Sequence, residues 1–227
     1  MNAKTLLFAL PLSLLMASGS LWATLSRPSP TTPGKYAHWG GEVDELEIVA
    51  PFKLADFNRI VVEPFDTSST PLPKAQDSTY APVQSALAHT APTFAAMLRA
   101  TLPGISAQVE EPGAGSEAGA LVVRGKVLAM EPGEDIPVYA ATGTGRARTV
   151  IAAEVVDGTT GKTLLRFLQE RRVGVSGGPQ AGYDRNVEIH VSLRPGPASS
   201  SGDPYEKALA FNVRFISRDL SDVLKSF

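Results

Sequence analysis

The chain has 227 residues, of which 43% are hydrophobic, and this is enough for one sizeable core in a single main domain. Its formal net charge of −2 at pH 7 argues against nucleic-acid binding, because contacts to phosphates need clustered Lys and Arg. It contains no cysteine, which excludes disulfides, thiolate metal sites, a cysteine nucleophile and lipid attachment to a cysteine.

The N-terminal segment has the layout of a secretory signal peptide. Lys4 precedes an apolar run from Leu6 to Ala17, and small residues follow that run. We expect cleavage after Ala23, which removes residues 1–23 and leaves a periplasmic protein. Cleavage within Ala17-Ser18-Gly19 is the other candidate.

The same segment also fits an uncleaved inner-membrane anchor. The stretch from Leu6 to Leu25 carries no charge and is just long enough to span a bilayer. Pro11 and several serines weaken this alternative. Under either interpretation the rest of the chain is exported across the inner membrane.

A linker and a single domain are predicted after the signal segment. Residues 24–45 are rich in Pro, Ser, Thr and Gly, a composition that cannot bury enough apolar surface to order itself, so they predict a flexible linker. Residues 46–227 then form one domain. Its first strand is Ile60–Phe65, whose continuous apolar and β-branched run is typical of a central strand covered on both faces.

An amphipathic helix follows, ended by Pro103-Gly104. Its apolar residues recur at spacings of three and four and share one face: Leu87, Ala91, Phe94, Leu98 and Leu102. Pro92 removes a backbone donor, so the helix either kinks there or restarts with Thr90 as its N-cap. The main helix is predicted over Ala91–Leu102.

The middle of the domain is predicted to be β-structure. Strands are expected at 105–111 and 120–134, and Gly125 inside the second indicates a bulge or the close approach of another backbone. Two further strands are joined by Asp157–Gly161, a loop with the length and residues of a hairpin turn. Alternation from Val187 to Leu193 predicts a half-buried edge strand.

The last predicted element is a helix over Pro204–Ser226, opened by Asp203 as N-cap. Its apolar stripe should lie on the sheet and consists of Leu209, Val213, Ile216, Leu220, Val223 and Phe227, widened by Phe211 and Phe215. The elements together predict an α/β (α+β) sandwich. Its sheet is mixed and largely antiparallel, with a central early strand and one face covered by two helices.

Two glycine motifs invite a functional interpretation. Gly143 and Gly145 have the G-x-G spacing of a phosphate loop, but β-branched alternation follows them instead of a helix, so we expect them only to make room for a packed element. Ser176 stands in a G-x-S-x-G pattern, and a serine hydrolase would need it beside His190 and Asp184. No helix follows Ser176 to form the strained elbow, so it is predicted not to be catalytic.

No metal site or cofactor is predicted. The three histidines, His38, His89 and His190, lack the spacing of metal ligands, and Gly41–Glu47 is expected to be a solvated acidic segment. The polar pairs that share a strand face are expected to solvate an exposed sheet edge; they are Arg146 with Arg148 and Gln169 with Arg171.

Four segments together resemble a bacterial envelope family, domain of unknown function 4410 (DUF4410), over about Leu54 to Phe227. They are FNRIVVEPF, LVVRGKVLAMEPGE, GTGRARTVIAAEVVDGTTGKTLLRF and the terminal amphipathic helix. The positions that match the family pattern are Val62 to Phe65, Gly125, Gly143, Gly145, Asp157, Gly161 and Lys162. Members are often lipoproteins with a signal-peptide cysteine, which this chain lacks.

The resemblance implies an α/β sandwich similar to domains of envelope accessory lipoproteins of curli secretion and the Tol system, and it brings no catalytic residues. We therefore expect a non-enzymatic periplasmic protein that binds an envelope partner or self-assembles. The alternatives are a periplasmic hydrolase that uses Ser176 and a small-ligand carrier with a pocket under the loop 177–202.

Overall fold

The computed structural model describes residues 30–113, 118–133, 146–174 and 203–227. The strands within these ranges are β1 Gly34–Trp39, β2 Val43–Ile48, β3 Arg59–Val62, β4 Ser106–Val109, β5 Ala120–Glu131, β6 Arg146–Asp157 and β7 Thr163–Gly174. The helices are α1 Tyr80–Ala88, α2 Thr90–Thr101 and α3 Pro204–Leu224. The strands form one mixed sheet in the order β1-β2-β7-β6-β5-β3-β4, so the predicted α+β fold is confirmed.

The sheet begins earlier in the chain than predicted. Strands β1 and β2 form an antiparallel hairpin, and β2 pairs with β7 through Leu46 opposite Phe167 and Ile48 opposite Leu165. The prediction of a flexible linker over 24–45 is therefore wrong for residues 34–45. Leu46 and Ile48 are buried, and β7 supplies the apolar cover that the composition of 24–45 alone could not provide.

Strand β3 lies inside the sheet and runs parallel to both of its neighbours, β4 and β5. Ile60, Val61 and Val62 are all buried, which confirms the prediction of a strand covered on both faces. The middle position of the sheet belongs to β6 rather than to β3. The predicted hairpin around Asp157–Gly161 is confirmed as the β6–β7 connection.

Gly125 in β5 allows close contact between the sheet and its neighbours. A Cβ atom at this position would lie 2.5 Å from the backbone oxygen of Ala152 and 2.6 Å from Cε1 of Phe65. The predicted close approach is thus confirmed, and the irregularity in strand pairing lies nearby, between Val127 and Ala129. Phe65 in turn contacts Phe94 of α2, with ring centroids 4.8 Å apart.

The predicted first helix is divided in two at His89, which confirms the restart over a kink at Pro92, but the N-cap of α2 is His89 and not Thr90 as predicted. The hydroxyl of Thr90 donates to the carbonyl of Ala86 at 3.0 Å across this junction. In the described part of the chain, the sheet face that bears helices therefore carries three, α1, α2 and α3, where two were predicted. No helix in the described ranges is both long enough and apolar enough to cross a membrane.

Helix α3 is capped and buried as its sequence predicts. The carboxylate of Asp203 accepts hydrogen bonds from the backbone N–H groups of Tyr205 at 2.8 Å and Glu206 at 3.4 Å. Its stripe is confirmed as core by five residues that are at most 1% exposed: Leu209, Val213, Ile216, Leu220 and Val223. Phe211 and Phe215 are only half-buried and contact each other, with ring centroids 4.4 Å apart.

Candidate functional site

One end of the sheet brings together several features on which a site could be built. Glu131 at the end of β5 pairs with Arg148, and Arg146 at the start of β6 pairs with Gly174 at the end of β7. Strands β5 and β7 therefore end, and β6 begins, at this end of the sheet. The turn between β1 and β2 lies at the same end, because β2 pairs with β7.

A cleft of about 410 Å³ lies between this turn and strands β6 and β7. Val150 of β6 and Leu168 of β7 line its apolar part. His38, Glu45 and Arg172 are among the polar residues around it, and all three are exposed. The cleft therefore combines an apolar floor with a charged, solvent-accessible rim.

Behind the cleft, the Arg171 guanidinium joins three elements. It donates to Oδ2 of Asp219 in α3, from Nε at 3.0 Å and from Nη2 at 2.7 Å. Nη2 also lies 3.3 Å from the backbone oxygen of Glu42 and 3.4 Å from Oε2 of the same residue. The side chains of Arg171 and Asp219 are only 12% and 7% exposed, so this ion pair is largely withdrawn from water.

Gln169 holds the β1–β2 turn against β7. Its Oε1 accepts from the backbone N–H of Asp44 at 3.0 Å, and its Nε2 donates to the backbone oxygen of Glu42 at 3.2 Å. Gln169 and Arg171 were predicted to solvate a sheet edge, which is wrong, because both face the helices. Gln169 and Arg171 continue the every-second-residue pattern of the buried Leu165 and Phe167 in β7. This pattern in the sequence could have predicted that they lie on the buried face.

Burial dominates the electrostatics of Asp219. The pKa of this carboxyl group is about 6 instead of 3.8, chiefly because burial disfavours its charged form, and the Arg171 guanidinium opposes that effect. The nearby carboxylates of Glu42 and Asp222 contribute to the rise because they repel the charged form. Asp219 therefore titrates in the folded protein nearer to neutrality than an exposed aspartate does.

The sheet face away from the helices, here called the outer face, carries a row of directly opposed charges. The row consists of Lys35, Glu47, Arg166, Glu154 and Arg124, one residue from each of β1, β2, β7, β6 and β5. Arg166 bridges both carboxylates at 2.9 Å. Its hydrogen bonds lower the pKa of Glu47 and of Glu154. These charges are thus already paired within the sheet.

A second group on the outer face centres on Arg148. Its Nη1 and Nη2 lie 2.9 Å from carboxylate oxygens of Glu131 and Glu170, and its pKa is raised chiefly by the hydrogen bond that it donates to Glu170. Arg146 and Arg148 were predicted to share a strand face at an exposed edge. Their strand, β6, is the middle strand of the sheet, so the edge part of that prediction is wrong.

Ser85, His89 and Glu206 lie together where α1 meets the first turn of α3. Ser85 Oγ donates to Glu206 at 2.6 Å, and His89 Nδ1 lies 2.8 Å from the backbone oxygen of Ser85 and 3.3 Å from its Oγ. A catalytic serine instead gives its proton to a histidine that an acid orients. Here Nδ1 donates to a carbonyl and the hydroxyl of Ser85 donates to the acid, so the group joins two helices and is not arranged as a triad.

Several predicted positions lie outside the described residues. They are Ser176, Asp184, His190, Gly143, Gly145, the edge strand 187–193 and the signal segment 1–23. In the part of the chain that is described, no three His, Asp or Glu side chains are placed to hold a metal ion. His38 lies by the cleft and His89 between α1 and α2.

Comparisons with known proteins give distant structural neighbours only. No protein-family model matches the chain. No curated protein sequence is significantly similar to it. A PelC dodecamer structure from Paraburkholderia phytofirmans is similar at 14% identity and TM-score 0.42, covering 76% of this chain and 96% of that one.

Two further solved structures are more distant. A Helicobacter pylori homologue of a neuraminyllactose-binding hemagglutinin has 9% identity and TM-score 0.33, covering 78% of this chain and 86% of that one. A Xanthomonas campestris protein of family DUF330 has 12% identity and TM-score 0.33, covering 77% and 87%. Similarity this low transfers no function to the present chain.

Proposed function

We propose that the protein is a non-enzymatic, exported protein of the cell envelope that binds a partner or assembles through the end of the sheet that holds the cleft. The observation that carries this proposal is the cleft, which lies beside the β1–β2 turn at the end of the sheet where β5 and β7 end and β6 begins. A cleft with an apolar floor and a few polar groups around it is a common place for binding. The sequence resemblance to DUF4410 supports an envelope role.

The polar side chains of the described core are engaged in contacts between its elements. Asn212 donates to the backbone oxygen of Ala147 at 3.0 Å, and the hydroxyls of Thr101 and Ser221 are 2.6 Å apart. Arg171 is engaged by Asp219 in the same way. These groups join secondary-structure elements, whereas a catalytic group must be able to reach a reacting atom.

Site-specific photo-crosslinking in cells tests the proposal. A photoreactive residue replaces His38 at the cleft, and in a matched control it replaces Lys162, which is exposed in the turn at the opposite end of β7. We expect a discrete cross-linked product from His38 alone, of twice the chain mass if the protein assembles with itself. Equal products from both positions, or none from His38 in a folded protein, contradict the proposal.

Fractionation of the same cells tests export. We expect the tagged chain in the osmotic-shock fraction, with the mass expected after loss of residues 1–23. Retention of Met1 in a membrane pellet supports the anchor alternative. Recovery of the whole chain with the cytoplasmic markers contradicts export altogether.

A further inference from the structure

We infer that the cleft between the β1–β2 turn and β7 binds an alkylammonium group, that is, an amine carried on an apolar stem. The inference rests on the proposed function, because it names the chemistry that the same end of the sheet would recognise. Three properties of the cleft support it: its apolar floor, its excess of acidic residues and an acidic side chain that has no partner among the residues that the structure describes.

The floor of the cleft suits an aliphatic stem. Val150 is 8% exposed, Leu168 is half-buried, and they lie on adjacent strands on the outer face. The volume of about 410 Å³ lies in the lower part of the range of about 300–1,000 Å³ that is usual for ligand sites. A short diamine or a single lysine side chain can therefore lay its methylene groups on this floor.

The charges around the cleft favour a cation. The residues that line it include four acids, Glu42, Asp44, Glu45 and Glu170, and two arginines, Arg171 and Arg172. The guanidinium of Arg171 is bound to Asp219 behind the cleft, so acidic side chains outnumber basic ones around the opening. An anion would meet net repulsion here, whereas an ammonium group brings three donors to an acceptor-rich rim.

The basic side chains in the lining are already engaged, while one acid is not. Arg171 is bound to Asp219 at 2.7 Å, and Arg172 Nε is bound to Glu170. The exposed side chain of Glu45 makes no hydrogen bond or ion pair with any residue that the structure describes. It lies on β2 directly opposite Leu168, so its carboxylate stands beside the apolar floor.

Binding of cadaverine, 1,5-diaminopentane, to the full exported chain tests the inference. We expect saturable binding with one site per chain, detected by calorimetry, and no binding of glutarate, the dicarboxylate of equal carbon number. Glu45→Gln should weaken the binding about tenfold, because one charge-assisted hydrogen bond is lost. Glu111→Gln removes the same charge from an exposed position beyond β4 and should leave the affinity unchanged.

Two peptides identify the source of the amine. A blocked tripeptide with a central lysine, compared with its norleucine analogue, shows whether the cleft accepts a side chain of a protein partner. Binding of the lysine peptide alone supports a protein partner with a basic residue, and binding of cadaverine alone supports a small-ligand carrier. No saturable binding of either probe at about 10 mM, or equal affinity of Glu45→Gln and the unaltered chain, overturns the inference.

The failure of this inference and that of the proposed function are distinguishable. A cross-linked product at His38 together with no saturable binding of cadaverine or of the lysine peptide supports the proposed function and overturns the amine site. Saturable amine binding with no product at His38 retains the amine site and contradicts the proposed partner.

Discussion

Arg171 donates two hydrogen bonds to a single carboxylate oxygen of Asp219, from Nε at 3.0 Å and from Nη2 at 2.7 Å. The same guanidinium also reaches Glu42 in the β1–β2 turn. One side chain of β7 thus connects the terminal helix α3 to the first hairpin of the fold. Because Asp219 is only 7% exposed, the connection depends on the protonation of one buried group.

The first prediction concerns the pH dependence of stability. Burial raises the pKa of Asp219 to about 6 from an ordinary value of 3.8. The folded state therefore holds this proton more tightly than the unfolded state, so the contribution to stability is full below the lower value and is lost as the pH rises through the upper one. Asp219→Asn should remove that contribution.

Urea unfolding between those two pKa values measures the effect. The free energy of unfolding of the unaltered chain, minus that of Asp219→Asn, should fall with rising pH. This difference isolates Asp219 from Glu47 and Glu154, whose lowered pKa values act in the opposite direction. A difference that is flat across this range would show that Asp219 does not titrate there.

The second prediction concerns the partner of Asp219. Arg171→Met leaves a buried carboxylate without its cation and should cost about 3–5 kcal/mol in the free energy of unfolding. The double variant Arg171→Met/Asp219→Asn should recover part of the loss, because the uncompensated charge is gone. A double variant less stable than Arg171→Met alone would contradict this account. Chemical denaturation of all three chains supplies the comparison.

The third prediction concerns the buried stripe of α3. Ile216 and Leu220 are both 0% exposed, so replacing either with Ala should cost about 2–5 kcal/mol and lower the Tm sharply. Arg214→Ala on the exposed side of the same helix is the matched control and should change stability by less than about 0.5 kcal/mol. Unchanged melting of both core variants would mean that the stripe is a docking surface instead.

The fourth prediction concerns Gly125. An added Cβ would lie 2.5 Å from a backbone oxygen that belongs to the neighbouring strand, which cannot simply rotate away. Gly125→Ala should therefore cost about 1–3 kcal/mol through overpacking. Lys126→Ala is the control, because it changes the next residue of β5, whose side chain is exposed on the outer face. Thermal unfolding of the two variants side by side tests the argument, and equal Tm values would refute it.

The parts of the fold that follow from local rules could be predicted from the sequence. Asp203 caps α3, and Oδ1 of Asp157 accepts from the backbone N–H of Thr159 at 2.8 Å in the β6–β7 turn. Both contacts lie within a few residues of their origin. The signals that specify them, a capping residue and a turn residue, are therefore complete in a short stretch of sequence.

The parts that depend on distant segments could not be predicted. The β1–β2 hairpin is stabilised by β7, so the composition of residues 24–45 alone indicated a linker. The ion pair of Arg171 with Asp219 joins residues 48 positions apart, and no local pattern specifies it. The cleft likewise requires β2 to lie beside β7. No sequence pattern links its residues Glu45 and Leu168, so their proximity could not be predicted.

The hairpin's dependence on β7 also has a kinetic consequence. The contact of the Asp44 backbone with Gln169 spans 125 positions. Strands β1 and β2, which leave a ribosome or an export channel early, therefore cannot complete their pairing until β7 has also emerged. Closing so large a loop is slow, and unpaired strand edges promote aggregation while they remain exposed. Residues 34–48 are therefore the segment of the nascent chain that would gain most from a chaperone that binds unfolded chains. Their backbone amides should become protected from hydrogen exchange late in refolding.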